Sequence, residues 1–227
     1  MELLTGCIPR NSGDVKFDLE SSRSYESGLV QLTLARKQEV FTSLDITMQL
    51  NKISLQYFKT PIGELVLGTF HEKLCLCDWR YRKMRPTIDK RIRDGLDAAF
   101  EEGETIVMET AKHQLNEYFS AKRIDFNIPL LMVGTSFQKM VWNELLKIPF
   151  GKTESYLGLS RKIGNKKAVR SVAAANGANA LAIFIPCHRI IGSDGRLTGY
   201  AGGLQAKRKL LQLEMHKQTS DQLKLFD

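Results

Sequence analysis

The chain has 227 residues, of which 43% are hydrophobic and 26% charged, with a formal net charge of +8. That is an ordinary globular composition with enough chain for one large or two small domains, and no apolar run approaches the ~20 residues of a membrane-spanning helix. The basic balance fits an anionic partner such as nucleic acid.

The opening MELLTGCIPR lacks a basic segment followed by an apolar core, so no signal peptide is expected. The cysteines, Cys7, Cys75, Cys77 and Cys187, are too few for a disulfide framework at this length. They point to a reducing, cytoplasmic setting, nucleoid-associated if the source is bacterial. Positive charge clusters at Arg80–Arg85, Lys90–Arg93, Arg161–Arg170 and Lys207–Lys209.

Residues 1–50 are polar and mixed, with serine- and glycine-containing stretches, and read as an unassigned N-terminal extension. Within it Leu29–Leu34 suits a short strand or a helical turn. Ile53–Lys59 alternates as a strand, Thr60-Pro61-Ile62-Gly63 turns, and Glu64–Phe70 and Lys73–Trp79 alternate again, predicting an antiparallel meander. Asp89–Glu102 and Glu109–Ala121 read as helices, the second with an apolar stripe through Leu115, Tyr118 and Phe119. Ile124–Leu130 reads as a strand-like exit and Leu131–Thr135 as a linker. The expected division is a small α/β domain over 51–133, a second domain over 134–216 and a tail over 217–227.

In the second domain Ser136 is placed to cap a helix through Phe137, Met140, Val141, Leu145 and Leu146. Ser155 is placed to cap a short helix over Tyr156–Ile163. Gly164-Asn165 turns the chain into a further helix over Lys167–Ala175. Two short helices across a glycine turn have helix-turn-helix spacing. A strand bearing Pro186, Cys187 and His188 is expected next, then a tight turn over Gly192–Gly195. A final helix over Gly203–Met215 would place Leu204, Leu210, Leu211 and Met215 in the core.

The motif with the most chemistry is Pro186-Cys187-His188-Arg189, at the end of the apolar run Leu181–Ile185. The thiolate is the nucleophilic form of cysteine, and a free thiol titrates near roughly 8.5, lower beside cations or imidazole. A core strand has little use for a thiol, an imidazole and a guanidinium in succession beside a proline, so Cys187 reads as an activated nucleophile.

IPCHRI followed by GRLTGYAGGL resembles the active-site signature of the O6-alkylguanine-DNA alkyltransferases, also called methylated-DNA–protein-cysteine methyltransferases. The resemblance runs from Ser136 through FQKMVWNELLKIPFGKTESYLGLSRKIGNKKAVRSVAAANGANALAIFIPCHRI to QAKRKLLQLE at Glu214, and more weakly back to Ile53. It implies an α+β fold with a small N-terminal domain of antiparallel sheet and helices. The C-terminal domain would be helix-turn-helix, winged-helix-like, and carry the active-site cysteine. It also implies a single-turnover DNA repair reaction, in which an alkyl group on O6 of guanine, or on O4 of thymine, passes irreversibly to the protein's own cysteine. No cofactor or membrane is involved, no metal ligand is assigned, and the partner is double-stranded DNA carrying alkylated guanine, met by a monomer.

By the same resemblance Cys187 is the acceptor, His188 takes the thiol proton through a water, and Glu214 orients and charges that imidazole. Tyr156 donates to the guanine ring, and Asn179 is a hinge joining the recognition helix to the cysteine segment. Arg170 fills the gap left by an extruded base. Ala173 and Ala174 allow close approach to the DNA backbone, and Lys166 and Lys167 contact phosphates. Tyr200, Gly202, Ile190 and Lys207 belong to the substrate pocket, Lys207 near its mouth. His71, Cys75 and Cys77 lie close together, but their spacing is not that of a zinc finger and no fourth ligand is evident. Cys75 and Cys77 alternate on one strand face, which suits core packing.

Two other readings differ in testable ways. A cysteine enzyme acting on a small substrate would turn over rather than stop after one equivalent. A DNA-binding sensor of alkyl lesions that repairs nothing would have no use for Cys187.

Overall fold

Alternating apolar residues from Lys52 to Trp79 build the sheet on which the site rests. Strands β3 (Lys52–Thr60), β4 (Gly63–Phe70) and β5 (Lys73–Trp79) pair antiparallel, after a separate hairpin of β1 (Phe17–Ser24) and β2 (Val30–Arg36). The computed structural model describes residues 17–24, 30–36 and 51–223, with side chains over 51–216. Cys7 and the opening decapeptide lie outside them. The chain divides into two units, Met1–Thr47 and Met48–Asp227, and the division expected at 133/134 falls inside the second. Of the Leu29–Leu34 segment, Val30–Leu34 is strand, within β2, and Leu29 lies outside the described residues.

The β3–β4 turn is two residues long, closed by the Thr60–Gly63 pair. Gly63 adopts φ +145°, and a Cβ there would come within 2.9 Å of the Trp79 ring. Between β4 and β5 the register slips at Gly68/Thr69, leaving Cys75 as the extra residue of a bulge. The slip reverses the side-chain parity. Cys77 packs into the main core and Cys75 into a second cluster on the other side of the sheet, so the two thiols do not share a face as expected. Cys75 donates to Gly68 O at 3.4 Å.

The helix expected over Asp89–Glu102 is two elements. Helix α1 (Arg85–Leu96) begins with a proline in its first turn and ends at Asp97, in the left-handed conformation at φ 47°. Strand β6 (Ala99–Glu102) then pairs parallel with β3, giving the sheet order β5-β4-β3-β6. Its AFEE sequence is a half-solvated edge with too few apolar residues to announce a strand. Helix α2 (Ile106–Phe119) is capped by the Thr105 side chain, which accepts from Met108 N, and it buries Leu115 and Tyr118. Ile124–Leu130 is not a strand. It only bridges β5, through Leu74 N to Pro129 O and Leu131 N to Leu74 O, each 2.8 Å.

Helix α3 (Ser136–Leu146) begins one residue earlier than a Ser136 cap requires. Thr135 is the cap, in a capping box with Gln138. Helix α4 (Tyr156–Lys162) is capped by Ser155, whose hydroxyl accepts from Gly158 N at 2.8 Å. Helix α5 (Val169–Gly177) starts two residues later than expected, which leaves Lys166 and Lys167 in the preceding turn. The last helix, α6 (Gly203–Leu223), runs through the segment read as a tail. Leu204 and Met215 lie on its outer side, at 47% and 58% exposure; the buried face carries Ala206, Lys207, Leu210, Leu211 and Glu214.

The larger of the two clusters spans the unit. It takes Leu65, Leu67 and Trp79 from the sheet, Leu115 and Tyr118 from α2, Val141 and Trp142 from α3, Leu181–Ile185, and Leu210 from α6. Among the described residues no helix is long and apolar enough to cross a membrane.

Candidate active site

Cys187 is presented by a turn, not by a strand. Ala182 N donates to Cys77 O at 2.6 Å and Cys77 N to Ala180 O at 2.8 Å, so the apolar run touches the edge of β5 only briefly. Ile183 then adopts φ +74°, an unusual conformation for a β-branched residue, and the run breaks away. Pro186, at φ −79° and ψ 59°, sits at the centre of an inverse γ-turn closed by Cys187 N to Ile185 O at 2.8 Å. Proline's ring already restricts φ close to that value. Cys187–Arg189 then forms a single 3₁₀ turn.

From that turn three side chains diverge. Cys187 is 3% exposed and lines a cavity of about 490 Å³ with Arg82, Met84, Tyr156, Asn176 and Tyr200, within the ~300–1,000 Å³ typical of small-molecule sites. His188 is fully buried behind it. Arg189 points away from the thiol, toward Glu214, so the flanking guanidinium does not act on sulfur as the sequence suggested.

Glu214 is the hub. Its Oε1 accepts from Tyr118 Oη at 2.8 Å, His188 Nε2 at 2.8 Å and Arg189 Nη2 at 3.0 Å. Its Oε2 accepts from Arg189 Nε at 2.9 Å and Gly151 N at 3.0 Å. Arg189 Nη1 donates to Ile148 O at 2.6 Å. Burial alone would raise the Glu214 carboxyl, but the bonds and charges of His188 and Arg189 outweigh it and hold it at about 2. Burial lowers His188 below its ordinary value despite Glu214, so at neutral pH His188 rests neutral with Arg189 as the counter-charge, and the imidazole's own charge bears on Glu214 only at the low pH where the carboxyl titrates. The imidazole therefore donates Nε2–H to Glu214 and keeps Nδ1 as an acceptor. Nδ1 is buried with no hydrogen-bond partner in the protein.

The resting thiol is not depressed. Burial raises Cys187, partly countered by a hydrogen bond from Asn179 and by the charges of Arg82 and Lys207. Asn179 accepts from Leu181 N at 2.9 Å and donates to Ile185 O at 3.0 Å, so it ties the end of α5 to the γ-turn.

Of the four pocket residues expected from sequence, Tyr200 lines the cavity and the other three do not. Lys207 is not at the mouth. It is fully buried, donates to Ile190 O at 2.5 Å and Thr198 O at 2.6 Å, and burial lowers its amine to about 8. Gly202 lies under Trp79, where a Cβ would meet the indole at 2.4 Å. Ile190 belongs to strand β8 (Ile190–Ile191), which pairs parallel with β7 (Glu154–Ser155) immediately before Tyr156. Arg170, Lys166, Lys167 and Ala174 are exposed on or just before α5, and Ala173 lines the cavity.

Sequence reasoning missed Arg82, Asp78, Arg91, Asn176, Tyr118 and Gly151. Asn176 lines the cavity with its Oδ1 buried and unpartnered. The advance signals were the basic clusters holding Arg82 and Arg91 and the apolar stripe that included Tyr118. Among the described residues no group of His, Cys, Asp or Glu is arranged to hold a metal.

Residues 136–216 match the family model described as 6-O-methylguanine DNA methyltransferase, DNA binding domain. A methylated-DNA–protein-cysteine methyltransferase of Mycobacterium bovis is 49% identical over 117 residues, covering 52% of this chain and 70% of that protein. One from Methanosarcina acetivorans is 40% identical over 157 residues, covering 69% of this chain and 95% of that protein. The solved structure of a Mycobacterium tuberculosis homologue in complex with DNA superposes with a TM-score of 0.62 at 36% identity, covering 73% of this chain and 94% of that one. With a cavity-lining cysteine backed by an anchored imidazole, and with these relatives spanning both halves of the larger unit, the chain belongs to the methylated-DNA–protein-cysteine methyltransferase family.

Proposed function

We propose that the chain repairs DNA by removing an alkyl group from O6 of guanine in a duplex and keeping it on Cys187. The sulfur attacks the alkyl carbon, an S–C bond forms as the C–O bond breaks, and the electron pair returns to the guanine. Displacement at carbon needs a thiolate and a proton for the leaving base, and no oxyanion hole. His188 Nδ1 takes the thiol proton, relayed by a water, while Glu214 holds the imidazole and stabilises its charged form. Tyr156 stands on the cavity wall to donate to the base as negative charge develops. Because burial raises the resting thiol, we place proton loss after the base has docked. The thioether has no route back to thiol, so each molecule acts once.

DNA would be gripped by α5, with Lys166 and Lys167 on phosphates and Arg170 filling the space of the extruded nucleotide. The observation that carries this reading is the cavity itself. It opens beside Cys187 and is walled by Ala173 of α5 and by Tyr156 and Tyr200. Intact mass after incubation with a duplex containing O6-methylguanine tests it. A gain of one methyl group that maps to Cys187 and is lost in Cys187→Ala is expected. An unmodified protein, or a product released with turnover, would sink the proposal.

A further inference from the structure

Helix α5 ends at Gly177, and the carbonyls of a last helical turn have no partners further along the helix. Here carbonyls at its end and just past it are met by side chains from outside the helix. Trp142 Nε1 donates to Ala175 O at 2.8 Å. Arg82 Nη2 donates to Gly177 O, and Arg82 Nη1 to Asn179 O at 2.9 Å. Arg91 Nη2 donates to Ala178 O at 2.8 Å. Three successive carbonyls are thus held by two guanidiniums that lie 87 to 97 residues earlier in the chain.

Both arginines are themselves fixed. Arg82 Nη1 also reaches Asp78 Oδ2 at 2.8 Å, and the other Asp78 oxygen accepts from Trp79 N at 2.9 Å. The Arg91 guanidinium lies 5.4 Å from the centre of the Trp142 ring. Cations are favoured at the negative end of a helix. A rigid guanidinium can serve several acceptors at once, which a lysine ammonium on a flexible stem does less well.

The helix so held carries Arg170 near its start and leads at its other end into Asn179, the tie to the Cys187 turn. We propose that Arg82 and Arg91 are positioning residues. They lock the DNA-facing helix to the cysteine loop, so that a base displaced at α5 arrives in register with the sulfur. The inference rests on the alkyl-transfer reading above. It assigns the sheet-bearing half of the unit a part in catalysis, as the clamp on the recognition helix.

Arg91 gives the cleaner test, because it does not line the cavity whereas Arg82 does. In Arg91→Met the apolar stem stays over Trp142 and the fork is lost. Single-turnover transfer from O6-methylguanine in a duplex, at saturating protein, should slow about tenfold, as a small misplacement at a reacting centre does, with duplex affinity and the rate on free O6-methylguanine base within about twofold of wild type. Arg91→Lys keeps the charge and one donor direction, and should recover part of the duplex rate. If Arg91→Met does not fold, Arg91→Lys alone must still slow the duplex reaction and spare the free base. Equal slowing on both substrates, or a lower melting temperature with an unchanged duplex rate, would overturn the assignment. A wild-type protein that takes no methyl from the duplex would instead defeat the alkyl-transfer reading, so the two failures are distinguishable.

Discussion

Replacing Glu214 by glutamine keeps the shape of the hub and removes its charge. The Arg189 guanidinium, 8% exposed at its side chain, is then left without a counter-ion. In the native protein the carboxyl titrates at about 2 against an ordinary 4.5. At about 1.4 kcal/mol per unit, that difference is worth roughly 3 kcal/mol of stability at neutral pH. A folded value below the unfolded one means the contribution is complete above about pH 5 and fades as the pH falls toward 2. Urea unfolding of wild type and Glu214→Gln should therefore differ by roughly 3 kcal/mol at pH 7 and by about half as much near pH 3, at unchanged m-value. The same variant should transfer alkyl groups slowly at pH 7, because His188 loses the negative charge that stabilises its protonated form. A stability gap below about 1 kcal/mol at pH 7, or one that does not narrow on acidification, would refute the view of Glu214 as an ionised hub.

Cys187→Ala should lose all transfer yet still bind lesion duplex in a gel-shift titration; retained transfer would assign the chemistry to another residue. Arg170→Ala should slow repair of duplex more than reaction with free alkylguanine base, measured by single-turnover kinetics, since only the duplex requires a base to be extruded. Gly202→Ala would drive a methyl into the Trp79 indole, at a cost of about 1–3 kcal/mol in thermal or urea unfolding. Through the edge-on contact of Trp79 with Tyr200, 6.0 Å between centroids, it should also slow transfer. A Gly202→Ala protein as stable and as fast as wild type would show that this close packing is dispensable.

Much of the fold was legible because its local signals agree. The meander follows from strict alternation, and Ser155 and the Gly164-Asn165 turn delimit α4. The signals failed where pairing is nonlocal. Strand β6 is polar and exists only because β3 offers it an edge. The bulge at Cys75 reverses the faces of two cysteines with no mark in the sequence except a nearby glycine. The PCHR motif pointed to Cys187, which lines the cavity, but adjacency in sequence misled about Arg189. A 3₁₀ turn sends successive side chains in different directions, so its guanidinium serves Glu214 and not the thiol. Glu214 itself was found through the resemblance alone. The partners that define its role, Tyr118 and Gly151, lie 96 and 63 residues away, beyond any local pattern.

The smallest sheet among the described residues has a mechanical consequence. Glu154 pairs with Ile190 and Ser155 with Ile191, so Tyr156 stands one residue beyond one strand and Cys187 three residues before the other. The backbone pairing acts as a fixed caliper between Tyr156 and the sulfur, and Lys207 tightens it at the Ile190 carbonyl. Room for a bulkier adduct cannot come from spreading those jaws. It has to come from the walls that carry no such pairing, Thr198–Ala201 and Lys83–Met84, and selection for new alkyl substrates should accumulate its substitutions there.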